Sequence, residues 1–183
     1  DAVFLAVKSY DTEWSSKFIE PYLAPGGFVV SAQNSINDDR IAEVIGWSRV
    51  VGCIVMFGGG MYEPGHVLRT SPNTKPATIL GEPSGLETSR IKKLSEALTA
   101  LGPSKTTTNL WGQRWAKLGI NCMSNAIAGF TGLTSAEIRQ YPEVRSVSIQ
   151  VTAELIKVAR ALGVQVEPIS GIPPQMYIDA LSD

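Results

Sequence analysis

Lys117, Asn121 and Asn125 stand at four-residue intervals in the stretch Trp115–Asn125, WAKLGINCMSN. Positions four apart on an α-helix drift by only about 40° around the axis, so a helix here carries all three polar side chains on one stripe. Trp111, Trp115, Leu118, Ile120, Met123 and Ile127 make most of the remaining surface apolar. A helix this apolar is largely buried. A buried lysine is costly unless it is paired or used. The two amides beside it both donate and accept hydrogen bonds, which suits them to fixing the orientation of a polar substrate. The plainer alternative is a solvated stripe on a surface helix. Solvated faces usually carry Glu and Arg as well, and this one does not.

A second set of polar residues lies at the ends of apolar runs. Ala2–Val7 leads into Lys8-Ser-Tyr10, Phe28–Ala32 into Gln33-Asn34, and Arg49–Met56 into Phe57 and the glycines 58–60. In open parallel sheets ligands lie beyond the carboxyl ends of the strands. Lys8 and Asn34 would therefore be placed to touch an anionic or carbonyl-bearing ligand, although polar residues also close strands for no other reason. The glycines do not match a phosphate-loop spacing and read as a plain turn.

The elements that must position these residues follow from periodicity. The three apolar runs fit strands buried on both faces, as in a parallel sheet. Helices are expected at Thr12–Tyr22 and Asn37–Ile45 between them, the alternation of βαβ crossovers. His66–Thr70 and Ala77–Leu80 read as an antiparallel pair around the turn-rich Ser71–Pro76. Gly85–Leu101 reads as an amphipathic helix closed by Gly102-Pro103, and Thr106–Thr108 as a short β-prone piece. From Asn109 the chain reads as helical: one helix to about Phe130, another opened by the capping box Thr134–Glu137, and a long one from Glu143 to Leu162 stopped by Gly163. Ile172-Pro-Pro174 begins a last short piece. The fold class expected is α/β followed by all-α, with the boundary near Thr108.

The bulk properties narrow the function classes. The chain has 183 residues, 44% hydrophobic and 18% charged, with a formal net charge of −1. No basic patch stands out, which argues against a nucleic-acid partner. The longest apolar run, Val50–Phe57, is too short to span a bilayer, and no signal peptide is expected. Cys53 and Cys122 read as buried free thiols of a reducing, cytoplasmic setting. The single histidine, His66, offers no metal site. No Ser-His-Asp set and no paired carboxylates suggest themselves.

Ala6-Val-Lys8-Ser-Tyr10, Ala32-Gln-Asn34, Pro64-Gly-His-Val67, Val158–Gly163 and, above all, Trp115–Asn125, in this order and spacing, carry a resemblance. By these residues the chain resembles the ketopantoate reductase (2-dehydropantoate 2-reductase) family. The resemblance implies a Rossmann-type domain and a helical domain for substrate and dimer contacts. It also implies NADPH-dependent reduction of a small 2-keto acid, in the family's case ketopantoate, in pantothenate biosynthesis. Lys117 matches the lysine that gives the keto oxygen its proton. Asn121 and Asn125 match the asparagines that hold the substrate. Asn34 matches the asparagine between cofactor and substrate, and Lys8 the strand-end lysine near the nicotinamide of NADP(H). A homodimer is a further implied partner.

The departures carry information too. The family's Gly-x-Gly-x-x-Gly fingerprint has no counterpart in these residues, and the first strand resembles the family's fourth. The family's later segment, with a serine for the substrate and an acidic residue near the catalytic lysine, is also without a counterpart. The expectation is therefore an internal portion of a longer reductase: residues 1–108 as a partial NADP-binding domain and 109–183 as a partial helical one. Gln33-Asn34-Ser35 replaces the usual Gln-Asn-Gly, and Ser135 stands where a further family asparagine falls. Those two positions leave room for a different 2-keto acid. The missing fingerprint leaves room for a non-catalytic assembly protein.

Overall fold

The computed structural model describes residues 1–71 and 76–181. It divides into two compact units, residues 1–110 and 111–183.

The first unit is built on a five-stranded sheet of β1 (Ala2–Leu5), β2 (Phe28–Ser31), β3 (Val50–Val55), β6 (Thr78–Gly81) and β7 (Ser104–Thr106), in the order β1-β2-β3-β6-β7. β1, β2 and β3 are mutually parallel. The intervening helices, α1 (Thr12–Ile19) and α2 (Asp38–Ile45), are the crossovers that parallel pairing requires. Side chains alternate faces along a strand. Val29 and Val50 accordingly join Leu5, Ile41, Ala42 and Ile45 in one core cluster. Val30 and Val51 join Cys53, Leu80, Ile91 and Leu94 in another, which includes the inner face of α3 (Ser89–Leu98). Helices thus cover both faces, and β2 and β3 are buried almost throughout, as continuous apolar runs predict. A Cβ on Gly52, in the middle of β3, would collide with the side chain of Leu110, so only a glycine lets that leucine sit between Ile54 and Ile79.

Four details differ from the sequence reading. β1 is not buried on both faces: it is an edge strand, and Phe4 is 47% exposed. The glycines 58–60 are not a turn: Gly59 and Gly60 open β4 (Gly59–Glu63), which pairs antiparallel with β5 (His66–Arg69) around the two-residue loop Pro64-Gly65. Gly65 has φ +78°, the left-handed conformation that follows proline in a tight turn. β5 therefore does not pair with the segment 77–80. That segment is β6, which runs antiparallel to β3 and parallel to β7, making the sheet mixed. Of the expected Ser71–Pro76 turn, residues 72–75 lie outside the described residues. The helix expected from Gly85 begins only at Ser89, because the Thr88 hydroxyl accepts from the Ile91 amide and caps it there.

The sheet end of β6 is tied down electrostatically. Glu82, 2% exposed, accepts from Arg90 Nε at 2.7 Å and from the Thr88 hydroxyl, and Arg90 also donates to the Ser48 carbonyl at 2.7 Å. Burial opposes ionisation of Glu82, but the hydrogen bonds from Arg90 and Thr88 and the Arg90 charge outweigh it. The carboxyl is held below its ordinary value.

The second unit is helical. α4 (Leu110–Ile120) passes without a break into a π-helical segment, Asn121–Ala126, and then α5 (Ile127–Thr131). α6 (Ser135–Gln140) opens with the full capping box of Thr134 and Glu137. α7 (Pro142–Ala161) starts on a proline and stops at Gly163, which has φ +77°. α8 (Pro174–Asp179) packs on α7. The core is Ala116, Ala153, Ile156, Ile169 and Tyr177, with Ile120 and Met123 packed against it. None of the described helices is long and apolar enough to cross a membrane.

Candidate active site

Each unit holds some of the residues that the sequence singles out. In the first, the parallel register pairs Leu5 with Ser31 at the ends of β1 and β2. Lys8 and Asn34 each follow three residues later, so equal lengths of chain carry them out of neighbouring strands. Both are exposed. Lys8 precedes a 3₁₀ turn, Ser9–Asp11, and its carbonyl accepts from the Asp11 amide at 2.9 Å.

Buried side chains hold these loops in place. Gln33, 5% exposed, donates through Nε2 to the Val7 carbonyl at 2.8 Å and to Thr12 Oγ1 at 2.9 Å. Thr12 Oγ1 in turn donates to the Ser9 carbonyl at 2.8 Å. The buried Asn37 donates through Nδ2 to the Asn34 carbonyl at 2.9 Å and to Ser9 Oγ at 3.0 Å. Ser35 has φ +72°, the left-handed region that L-residues other than Gly, Asn and Asp seldom enter. The glycine that usually follows Gln-Asn in the resembled family thus has a physical reason, and Ser35 occupies the same turn under strain.

In the second unit, Lys117 is half-buried on α4, and no carboxylate among the described residues forms an ion pair with it. Burial pushes its ammonium below the ordinary 10.5. Asn121 and Asn125 lie in the π-helical segment, where Asn125 Nδ2 donates to Asn121 Oδ1 at 3.2 Å. Ser124 Oγ donates to the Ile120 carbonyl at 2.6 Å, supplying that carbonyl with a side-chain donor where the α-helical pattern gives way. The stripe grades outward, from half-buried Lys117 and Asn121 to exposed Asn125. Burial pushes the Cys122 thiol up, which disfavours the reactive thiolate beside this stripe. Cys53 is likewise a free thiol, and no cluster of His, Cys, Asp and Glu among the described residues could hold a metal ion.

The structure thus brings Lys8 and Asn34 to adjacent strand ends, and Lys117, Asn121 and Asn125 to one continuous helix. The clamp residues Thr12 and Asn37 escaped the sequence reading, which took them only as the starts of helices. Arg114, 3% exposed and one turn before Lys117, was also passed over. Like Lys117, Arg114 is a cation on an apolar helix.

By class this is a mixed α/β unit with polar strand ends, followed by an all-α unit with a lysine–amide stripe. The family model described as Ketopantoate reductase PanE/ApbA matches residues 1–85, and that described as Ketopantoate reductase PanE/ApbA C terminal matches residues 109–179. The chain belongs to the ketopantoate reductase family. It is 26% identical to a 2-dehydropantoate 2-reductase of Aquifex aeolicus over 161 residues, 86% of this chain and 51% of that protein. It is 29% identical to one of Pyrococcus abyssi over 177 residues, 95% of this chain and 55% of that protein. A PanE/ApbA family ketopantoate reductase from Ralstonia eutropha JMP134 has a similar crystal structure, with a TM-score of 0.78 and 30% identity, covering 91% of this chain and 54% of that one. The chain spans about half the length of the curated relatives it matches.

Proposed function

We propose that this chain is the part of an NADPH-dependent 2-keto acid reductase that carries its proton donor and substrate amides, with 2-dehydropantoate as the substrate. The observation that carries the reading is Lys117: a half-buried lysine with its pKa lowered by burial, one turn before a hydrogen-bonded pair of asparagines.

The polar strand ends suit a nicotinamide nucleotide. Lys8 supplies a cation and Asn34 an amide with both donor and acceptor, at adjacent carboxyl ends of parallel strands, the place where such sheets take nucleotides. The chemistry a bound NADPH contributes is hydride donation to the keto carbon. Lys117 does the rest at the oxygen. Its ammonium stabilises the negative charge that grows on the oxygen and then gives up a proton to it, leaving a 2-hydroxy acid and a neutral amine that solvent reprotonates. Lowering the lysine pKa brings the donor closer to the working pH, where proton transfer is most effective. Asn121 and Asn125, already bonded to each other, present fixed donors and acceptors to the substrate's hydroxyl and carboxylate. On this reading residues 1–108 serve cofactor binding and 109–183 serve the substrate and dimer formation, in the cytoplasm.

A second reading keeps the chemistry and changes the substrate. Ser35 in its strained turn and Ser135, exposed at the start of α6, are the positions that favour it. NADPH oxidation with 2-dehydropantoate, run beside a panel of other 2-keto acids, separates the two. Fastest turnover with 2-dehydropantoate supports the first, and faster turnover with another acid supports the second. No turnover with any of them, and no NADPH binding, would leave a non-catalytic assembly protein.

A further inference from the structure

The Asn37 amide is diverted from the task its position assigns it. It is the residue before α2, where an asparagine ordinarily accepts from a backbone N–H of the first turn, yet it makes no such cap. Its Nδ2 donates instead to the Asn34 carbonyl at 2.9 Å and to Ser9 Oγ at 3.0 Å. Those two acceptors belong to different loops, one beyond β2 and one beyond β1, and each is next to or part of a residue that the functional reading uses: Lys8 precedes Ser9, and Asn34 is the acceptor itself. Asn37 is only 3% exposed, so the donor end of the bridge is buried, while Ser9 is half-buried and Asn34 exposed. The Ser9 hydroxyl also reaches the Asn34 carbonyl at 3.5 Å, closing a triangle over the two strand ends.

We propose that Asn37 is a positioning residue that sets the spacing between Lys8 and Asn34, and thereby the affinity of the site for the nicotinamide nucleotide. The inference rests on the reductase reading. Gln33 anchors the same loops from below through Val7 and Thr12, so each loop keeps its general path without Asn37. Asn37 adds the shorter bonds between the two loops at the height of the ligand-bearing residues, where Ser9 Oγ by itself reaches the Asn34 carbonyl only at 3.5 Å.

Two variants isolate that role. Asn37→Asp keeps the shape of the side chain but removes its N–H donors. Asn37→Ser places another favourable N-cap residue before α2 but is too short to reach both loops. Both are compared with the unmodified protein for NADPH KM, kcat and thermal unfolding. The expected result is an NADPH KM raised by about tenfold in both, the scale of a small misplacement of binding groups. The unfolding midpoint of Asn37→Ser should stay within a few degrees of the original, and Ser9→Ala should add little on top of either variant because it breaks the same bridge. An unchanged NADPH KM in both variants overturns the inference while leaving the reductase reading intact. Loss of activity that simply tracks loss of folded protein in both variants also overturns it, since that is the mark of a merely structural residue. Failure of the unmodified protein to oxidise NADPH with any 2-keto acid overturns the reductase reading, and this inference with it.

Discussion

Asn125 donates a side-chain hydrogen bond to Asn121 at 3.2 Å, and both lie in the π-helical segment that interrupts an otherwise continuous helix. π-Helical turns are rare and frequently mark functional sites. Here the turn presents two amides as one coupled unit rather than as two independent side chains. Asn121→Ala and Asn125→Ala are each expected to raise the KM for the 2-keto acid about tenfold, the worth of one hydrogen bond of about 1–1.5 kcal/mol. The double variant should lose clearly less than the sum of the two, because residues in contact are not additive. A strictly additive pair in steady-state kinetics would mean that the two amides act separately.

The lowered pKa of Lys117 fixes the sign of the pH dependence. As the proposed proton donor, Lys117 is competent only while it is an ammonium, and burial places its pKa below the ordinary 10.5. Reduction of the keto acid should therefore decline as pH rises, with a midpoint below that value. A rate that stays flat to pH values well above the ordinary lysine range would remove Lys117 from the proton transfer.

Ser35 predicts a stabilising substitution. A non-glycine residue at φ +72° carries a backbone penalty of about 1–2 kcal/mol. Ser35→Gly removes it but adds conformational freedom to the unfolded chain, which takes back about 0.4–1 kcal/mol. The net expectation is a gain of up to about 1.5 kcal/mol in a denaturant melt. A loss of comparable size would show that the serine side chain makes contributions outweighing its backbone strain.

The Glu82–Arg90 pair predicts acid sensitivity. The folded-state pKa of Glu82 lies below its ordinary 4.5, so the contribution of the pair is complete above that value and fades as pH falls through the lower, folded one. The Glu82 side chain is only 3% exposed, whereas that of Arg90 is 29% exposed. Arg90→Ala leaves the carboxylate buried without its cation and should cost about 3 kcal/mol at neutral pH. It should also flatten the dependence of stability on pH in the acid range. Equal acid sensitivity with and without Arg90, followed by circular dichroism, would assign that sensitivity to other carboxylates.

How much of this was legible in the sequence depended on the range of the interactions. The strands at Phe28–Ser31 and Val50–Val55 and the capping box at Thr134–Glu137 were readable because each is specified by its own neighbours. So was the lysine–amide stripe, whose spacing is that of a helix. The partner of β5 was not, because pairing is decided by turn geometry, and Pro64-Gly65 makes a tighter hairpin than the longer Ser71–Pro76 segment. The apolar run of β1 could not disclose that it lies at a sheet edge, since edge and centre have the same local pattern. The Asn37 bridge and the π-helical turn were invisible for a related reason. The first joins residues 28 positions apart, and the second is a change of hydrogen-bond register that residue types alone do not announce.

Single-turnover kinetics of Lys117→Ala with NADPH and 2-dehydropantoate decides whether Lys117 is the proton donor of a 2-keto acid reductase. If it is, reduction slows at least about a hundredfold, the scale of removing a general acid, with NADPH affinity unchanged. A variant that reduces the keto acid at the rate of the unmodified protein would contradict that role.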